Sequence, residues 1–192
     1  MNLPNKLTII RIFLAFLFMF VLLAFKGIGP KVLALVIFTL ACATDFLDGY
    51  IAREYNLVTN FGKFMDPLAD KLLVLAAFIA FVELRVIAAW MVLLIFSREL
   101  IVTGIRLFAV KKKKVLAAER EGKHKTASQM FAIFMILGYL LIKEIFVRLS
   151  AWTSTLESIC RVGILLLMTI TIALTLSSGI SFLMRNRRLL YD

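Results

Sequence analysis

One histidine, two cysteines and three prolines are spread over 192 residues, and charged residues make up only 18% of the chain. Each scarcity excludes something. Cys42 and Cys160 stand far apart in apolar runs, at no zinc or redox spacing, and read as small packing residues. A lone histidine, His124, lies in a basic stretch and reads as a solvated surface residue. Charge is scarcer still in relative terms. Soluble domains average about 25% charged and about 45–50% apolar residues. Here 62% are hydrophobic and the mean hydropathy is +0.96, which leaves too little polar material to cover a surface facing water. A soluble enzyme is excluded, and an all-α integral membrane protein is expected. No polar segment is long enough for a second domain, so residues 1–192 read as one. The start, Met1 to Lys6, has no small-residue cleavage site and reads as mature protein.

Apolar runs are what the sequence has in abundance. A bilayer-spanning helix needs about 20 mainly apolar residues. Six segments qualify: Leu7–Phe25, Val32–Ala52, Phe64–Phe81, Ile87–Val110, Thr126–Phe146 and Ile159–Met184. Twenty-three Lys and Arg against twelve Asp and Glu give a net charge of +11. Such a balance draws anionic partners in general. In a membrane protein it is first a topology signal, and no nucleic-acid partner is expected. Six spans put fifteen cations on the side of both termini and six on the other: Lys26, Lys31, Arg85, Lys143, Arg148 and Arg161. The positive-inside rule therefore places both termini in the cytoplasm. Trp90 and Trp152 fall near outer helix ends, as interfacial anchors do. Lys111 to Lys114 read as a topology determinant contacting anionic membrane lipids.

Charge within the first four spans is one-sided. Arg11, Asp45, Asp48, Asp66, Asp70, Lys71, Arg98 and Glu99 all fall in inner halves, and the outer halves carry none. Intramembrane charge is costly and faces a polar interior by default. A polar cavity open to the cytoplasm is expected.

Four of the five aspartates lie in one short window. Asp45 and Asp48 are three apart, Asp66 and Asp70 four apart, so each pair shares a helical face. Across an antiparallel hairpin turning near Leu57, Asp45 comes opposite Asp70 and Asp48 opposite Asp66. Four carboxylates in a partly desolvated cavity cannot all stay ionised without positive charge. Two divalent cations resolve this, and an all-oxygen set favours Mg²⁺, Mn²⁺ or Ca²⁺ over zinc. Paired metals on carboxylates commonly serve phosphoryl transfer. The bland alternative is neutralisation by Lys71, Arg98 or Arg53. Gly49 and Gly62 flank the carboxylates, where a missing side chain permits close approach of a ligand or a helix.

Asp45-x-x-Asp48-Gly49-x-x-Ala52-Arg53, eight residues, then Gly62-x-x-x-Asp66-x-x-x-Asp70 resembles the signature of the CDP-alcohol phosphatidyltransferases. These are six-helix membrane enzymes that join an alcohol to a phosphatidyl group and release CMP. The stretches Asn2–Arg11, Ser97–Glu99 with Thr103–Arg106, and Gly122–Gln129 are similar to blocks of the phosphatidylglycerophosphate synthase branch. Leu14-Ala15-Phe16 stands where many members have a proline, and the stretch Lys111–Glu121 is unusually charged, with no role that the resemblance implies. The resemblance implies an enzyme of phospholipid synthesis in a bacterial inner membrane. It implies that Asp45, Asp48 and Asp66 bind metal, Mg²⁺ or Mn²⁺, and that Asp70 binds metal and acts as general base. Asn5, Thr8, Asp48, Gly49, Arg53 and Gly62 would line the site for CDP-diacylglycerol. It further implies glycerol 3-phosphate as acceptor and a homodimer.

Arg98 and Arg106 are eight apart, close to two helical turns, and Lys125 opens the fifth span. Three cations beside four carboxylates make a bipolar pocket suited to an acceptor phosphate. Simple pairing with Asp or Glu99 is the competing reading. Inositol phosphate would suit the same cations. A cation transporter using the aspartates is the rival of another class, and it requires polar residues continuing to the outer face.

Overall fold

The computed structural model describes the backbone at residues 3–54, 60–111 and 121–186. Side chains are described there except at 3–5, 45–54, 60–64, 66–67, 107–108, 110–111 and 121–124. Six helices account for nearly all of these residues: α1 (Leu3–Ala24), α2 (Ile28–Glu54), α3 (Asn60–Glu83), α4 (Ala89–Lys111), α5 (Glu121–Arg148) and α6 (Ser154–Arg185).

The helices follow the apolar runs, and their ends follow local chemistry. Pro4 and Pro30 sit in first turns, where a missing N–H removes no helical bond. Gly27, at φ +107°, makes the tight α1–α2 turn that a side chain would strain. After α3 and α5 the chain closes with the same pair of bonds. Val86 N–H donates to the Phe81 carbonyl and Arg85 N–H to Val82; Ala151 and Ser150 repeat this on Phe146 and Val147. These are Schellman closures, with Arg85 (φ 56°) and Ser150 (φ 53°) in the left-handed position. Thr153 caps α6 by accepting from Leu156 N–H at 3.2 Å.

Several helices run beyond their expected bounds. Position 124 lies inside α5, one turn after its start at Glu121, and not in a loop. α5 runs to Arg148, past the expected Phe146, and α6 starts at Ser154, so Glu157 lies within a helix where a connection was expected. The reason is pairing: Lys143 donates to Glu157 at 2.9 Å, so both helix ends stay ordered past the apolar run. Trp152 belongs to the connection itself, its indole N–H donating to Glu157 at 2.9 Å.

α1 shows how the bundle is sorted. Thr8, Arg11, Ala15, Phe18 and Leu22 form a fully packed stripe, while Phe13, Phe16 and Phe20 point outward, more than half exposed. α1 packs against α2 and α3, and α6 against α4 and α5; α5 also meets α2 and α3 and so joins the two groups. Phe18, Phe38 and Phe134 stack in a chain across α1, α2 and α5, with centroids 5.3 Å apart at each step.

The outward surface is apolar, as a lipid-facing bundle requires. Among the described residues, Lys6–Ala24, Lys125–Arg148 and Ser154–Arg185 are long and apolar enough to cross a membrane, and Ile28–Thr44 is a shorter apolar stretch. The described part of α4 falls short of that measure because Arg98, Glu99 and Arg106 interrupt it. Among the described residues the fold is all-α, and three of its helices have the length and composition of membrane spans. Cys42 and Cys160 are half-buried and in no disulfide, consistent with packing roles.

Phe38→Ala should lower the stability of the detergent-solubilised protein toward the low end of about 3–5 kcal/mol. Lipid tails remove much of the transfer contribution, but the void between Phe18 and Phe134 remains. Unfolding followed by thermal scanning checks it, with Phe20→Ala, which faces outward, expected to change little.

Candidate active site

Asp70 on α3 is one wall of a cavity of about 820 Å³ at the end of the bundle where α3 and α5 begin and α4 and α6 finish. That end is called the site end below, and the opposite one the far end. α4 supplies the adjacent Arg98 and Glu99, then Thr103 and Arg106 one and two turns further along the same side of the helix. α5 supplies Lys125 and Gln129, one turn apart. α6 closes the cavity with Ser178 and Phe182. The three cations singled out from sequence, Arg98, Arg106 and Lys125, thus share one cavity with Asp70.

Glu99 is the organising anion. Its carboxylate pairs with Lys125 across from α5, and Arg98 Nη1 lies 3.5 Å away on its own helix. The pairing with Glu99 weighed as the bland alternative is therefore present for Lys125 and Arg98. It coexists with their lining the cavity. Lys71 of α3 donates to the Thr103 hydroxyl of α4. Arg106 lies with its guanidinium carbon 5.4 Å from the Phe182 ring centroid, a cation–π contact that leaves the guanidinium's edge for other partners.

Arg98 is held from α6. Its Nη2 donates to the Ser178 hydroxyl at 2.8 Å. The neighbouring Gly179 has no room for a side chain, since a Cβ there would sit 2.8 Å from Arg98 Cγ and 3.1 Å from Nε. Gln129 reaches Thr175 at 3.4 Å below this group. These α6 residues escaped the sequence reading, which saw the last span only as apolar. A signal existed: Thr171, Thr175, Ser178 and Phe182 recur at helical spacing on one buried face.

The remaining expected residues divide by what is described. Positions 45, 48, 49 and 53 lie in α2, and 62 and 66 in α3, toward the site end; the side chains of Asp45, Asp48, Arg53 and Asp66 lie outside the described residues, as does the turn near Leu57. The facing of Asp45 with Asp70 and of Asp48 with Asp66 lies outside them too. Asn5 is in the first turn of α1, its side chain likewise outside. Thr8 is fully buried in the α1 stripe, next to Arg11, and does not border the cavity. Lys112 to Lys114 lie outside the described residues. Among the described residues, no three His, Cys, Asp or Glu side chains converge on a metal position. The donor chemistry nonetheless fits a hard cation: Asp70 presents oxygen in the cavity, Asp66 stands one helical turn before it, and all four candidates are carboxylates.

A cavity that gathers Lys71, Arg98, Arg106 and Lys125 beside Asp70 and Glu99 suits an anionic substrate. The chain belongs to the CDP-alcohol phosphatidyltransferase family, which matches residues 1–185 and so takes in all six helices. It is similar to the CDP-diacylglycerol–glycerol-3-phosphate 3-phosphatidyltransferase of Bacillus subtilis (strain 168), 44% identical over 168 residues, covering 80% of this chain and 87% of that protein. It is also similar to the protein of the same name from Rickettsia typhi, 45% identical over 138 residues, covering 71% of this chain and 77% of the relative.

Gly179→Ala should push the Arg98 stem off α6 and lower the rate of CMP release by tenfold or more. On an Arg98→Ala background the same substitution should cost little further, because the clash partner is gone. Rates of the two single variants and the double variant check this coupling.

Proposed function

We propose that the protein transfers the phosphatidyl group of CDP-diacylglycerol to sn-glycerol 3-phosphate, giving phosphatidylglycerophosphate and CMP. One observation carries the reading: Asp70 shares its cavity with Arg98, Arg106 and Lys125. A proton acceptor and a phosphate-holding group therefore stand within reach of one small molecule. The names of the relatives from Bacillus subtilis and Rickettsia typhi support the choice of acceptor. Family membership favours this transfer over ion transport by the aspartates.

In this mechanism Arg106 and Lys125, with Arg98 deeper, hold the acceptor phosphate by charge-assisted hydrogen bonds. Asp70 takes the proton from the acceptor hydroxyl. The oxygen then bonds to the phosphorus that carries the diacylglycerol, and the bond from that phosphorus to the bridging diphosphate oxygen breaks. CMP leaves with that oxygen. Asn5, Thr8, Asp48, Gly49, Arg53 and Gly62 form the site for the CDP moiety. Divalent cations, Mg²⁺ or Mn²⁺, held by Asp45, Asp48, Asp66 and Asp70 would neutralise charge on the diphosphate. The reading includes six spans in one domain, both termini and the cavity on the cytoplasmic side of a bacterial inner membrane, and a homodimer. It is tested with purified protein, CDP-diacylglycerol, a divalent metal and separate acceptors, scored by CMP release. Release with inositol phosphate in place of glycerol 3-phosphate would reassign the acceptor.

EDTA should abolish CMP release, and Asp45→Ala should remove both metal binding and activity; full turnover in metal-free buffer would contradict the carboxylate assignment. Asp70→Asn should still bind CDP-diacylglycerol but turn over about 10²–10⁴-fold more slowly, the usual scale for loss of a general base. Loss of binding and rate together would make Asp70 chiefly a ligand.

Arg106→Ala should raise the KM for glycerol 3-phosphate roughly tenfold to a hundredfold, from a charged contact contributing about 1.5–3 kcal/mol. The KM for CDP-diacylglycerol should stay nearly constant. Measuring both constants on one variant decides which substrate the cation serves.

A further inference from the structure

The far end of the bundle carries a second charged cleft that the proposed reaction does not use. It has a volume of about 330 Å³ and lies between the α3–α4 turn, the first turn of α2 and the facing ends of α5 and α6. Lys31, Arg85, Lys143 and Arg161 border it, together with a single carboxylate, Glu144. Lys31 pairs with Glu144. Lys143 and Arg161 both engage Glu157 at 2.9 Å, so one carboxylate answers two cations. The Arg85 side chain makes no hydrogen bond or ion pair among the described residues. Four cations against Glu144 and Glu157 leave two positive charges uncompensated.

Three features give the cleft the chemistry of a ligand site. Arg85 is fixed over it by the Schellman closure of α3, in a left-handed conformation that costs a non-glycine residue energy. Apolar side chains, Leu140 and Ile164 among them, form part of its wall, which suits a ligand with an apolar body better than a hydrated ion. Lys143 lies 5.9 Å from the Tyr139 ring within α5 and 5.8 Å from the Trp152 ring in the α5–α6 connection, an aromatic pair of the kind that gathers at membrane interfaces.

We propose that this far-end cleft binds a phosphate group, that of an anionic phospholipid, with Arg85 and Lys143 as its principal donors. An arginine fork and an ammonium suit the non-bridging oxygens of a phosphodiester. The apolar wall takes the start of the acyl chains. The site is separate from the catalytic cavity and does not depend on the proposed reaction.

Native mass spectrometry of the full chain in detergent, titrated with phosphatidylglycerol or phosphatidylcholine, tests this. Wild type should retain phosphatidylglycerol at least tenfold better than phosphatidylcholine. Arg85→Gln, at an exposed turn, should cut that preference threefold or more. Arg85→Gln with Lys143→Gln should bring it within twofold, while Arg148→Gln, at the same end but off the cleft, keeps it. Thermal unfolding confirms that each variant is folded, and Glu157 retains Arg161 and Trp152 as partners in the double variant. Displacement of the lipid by millimolar inorganic phosphate would assign the phosphate itself as the recognised group; lack of displacement would assign the whole lipid. Equal retention of the two lipids by wild type, or an unchanged preference in the folded double variant, would overturn the proposal.

Discussion

Glu99 ties α4 to α5 through Lys125, and its neighbour Arg98 ties α4 to α6 through Ser178. These two links hold the cavity open as a polar space inside an otherwise apolar bundle. Lipid tails compete equally well for apolar surface, so helices in a membrane are joined by close packing and polar contacts. A buried ion pair is a poor source of net stability, but losing one member strands the other at about 3–5 kcal/mol. That asymmetry makes the arrangement specific. α4, α5 and α6 have one register in which Lys125, Glu99, Arg98 and Ser178 are all answered, and the cavity exists only in that register.

The helices themselves were legible because six apolar runs of membrane-spanning length leave little choice of structure. Their ends were less so. Glu157 fell outside the expected last span, since hydropathy scores each charge alone and cannot see that it meets Lys143. The cations of the cavity were legible for a different reason. Arg98 stands too deep in an apolar run to be a topology signal, and Arg106 follows at two helical turns on the same face.

The contribution of α6 was hidden by chemistry. Thr171 and Thr175 each donate a hydroxyl to the carbonyl four residues before, at 2.9 and 2.7 Å, so they lie quietly in an apolar helix. Only their helical spacing with Ser178 and Phe182 announces that they line a buried face. Gly179 is hidden in the same way, because its use depends on the stem of Arg98 from another helix. Sequence periodicity reports which face of a helix is buried; it does not report what lies opposite.

The packing of α1 bears on how the protein is made. α1 lies against α2 and α3, the two helices that carry the clustered aspartates, and these three leave the ribosome before α4, α5 and α6. Chains fold from the N-terminus as they are synthesised. A three-helix unit with its own aromatic contacts can therefore assemble in the bilayer before α4 exists. The stripe from Thr8 to Leu22 gives α2 and α3 a surface to settle on. α4, α5 and α6 then arrive against a finished wall, and Glu99, Lys125 and Ser178 meet last. Birth order thus separates the half of the bundle that bears the four clustered aspartates from the half that bears Arg98, Arg106 and Lys125.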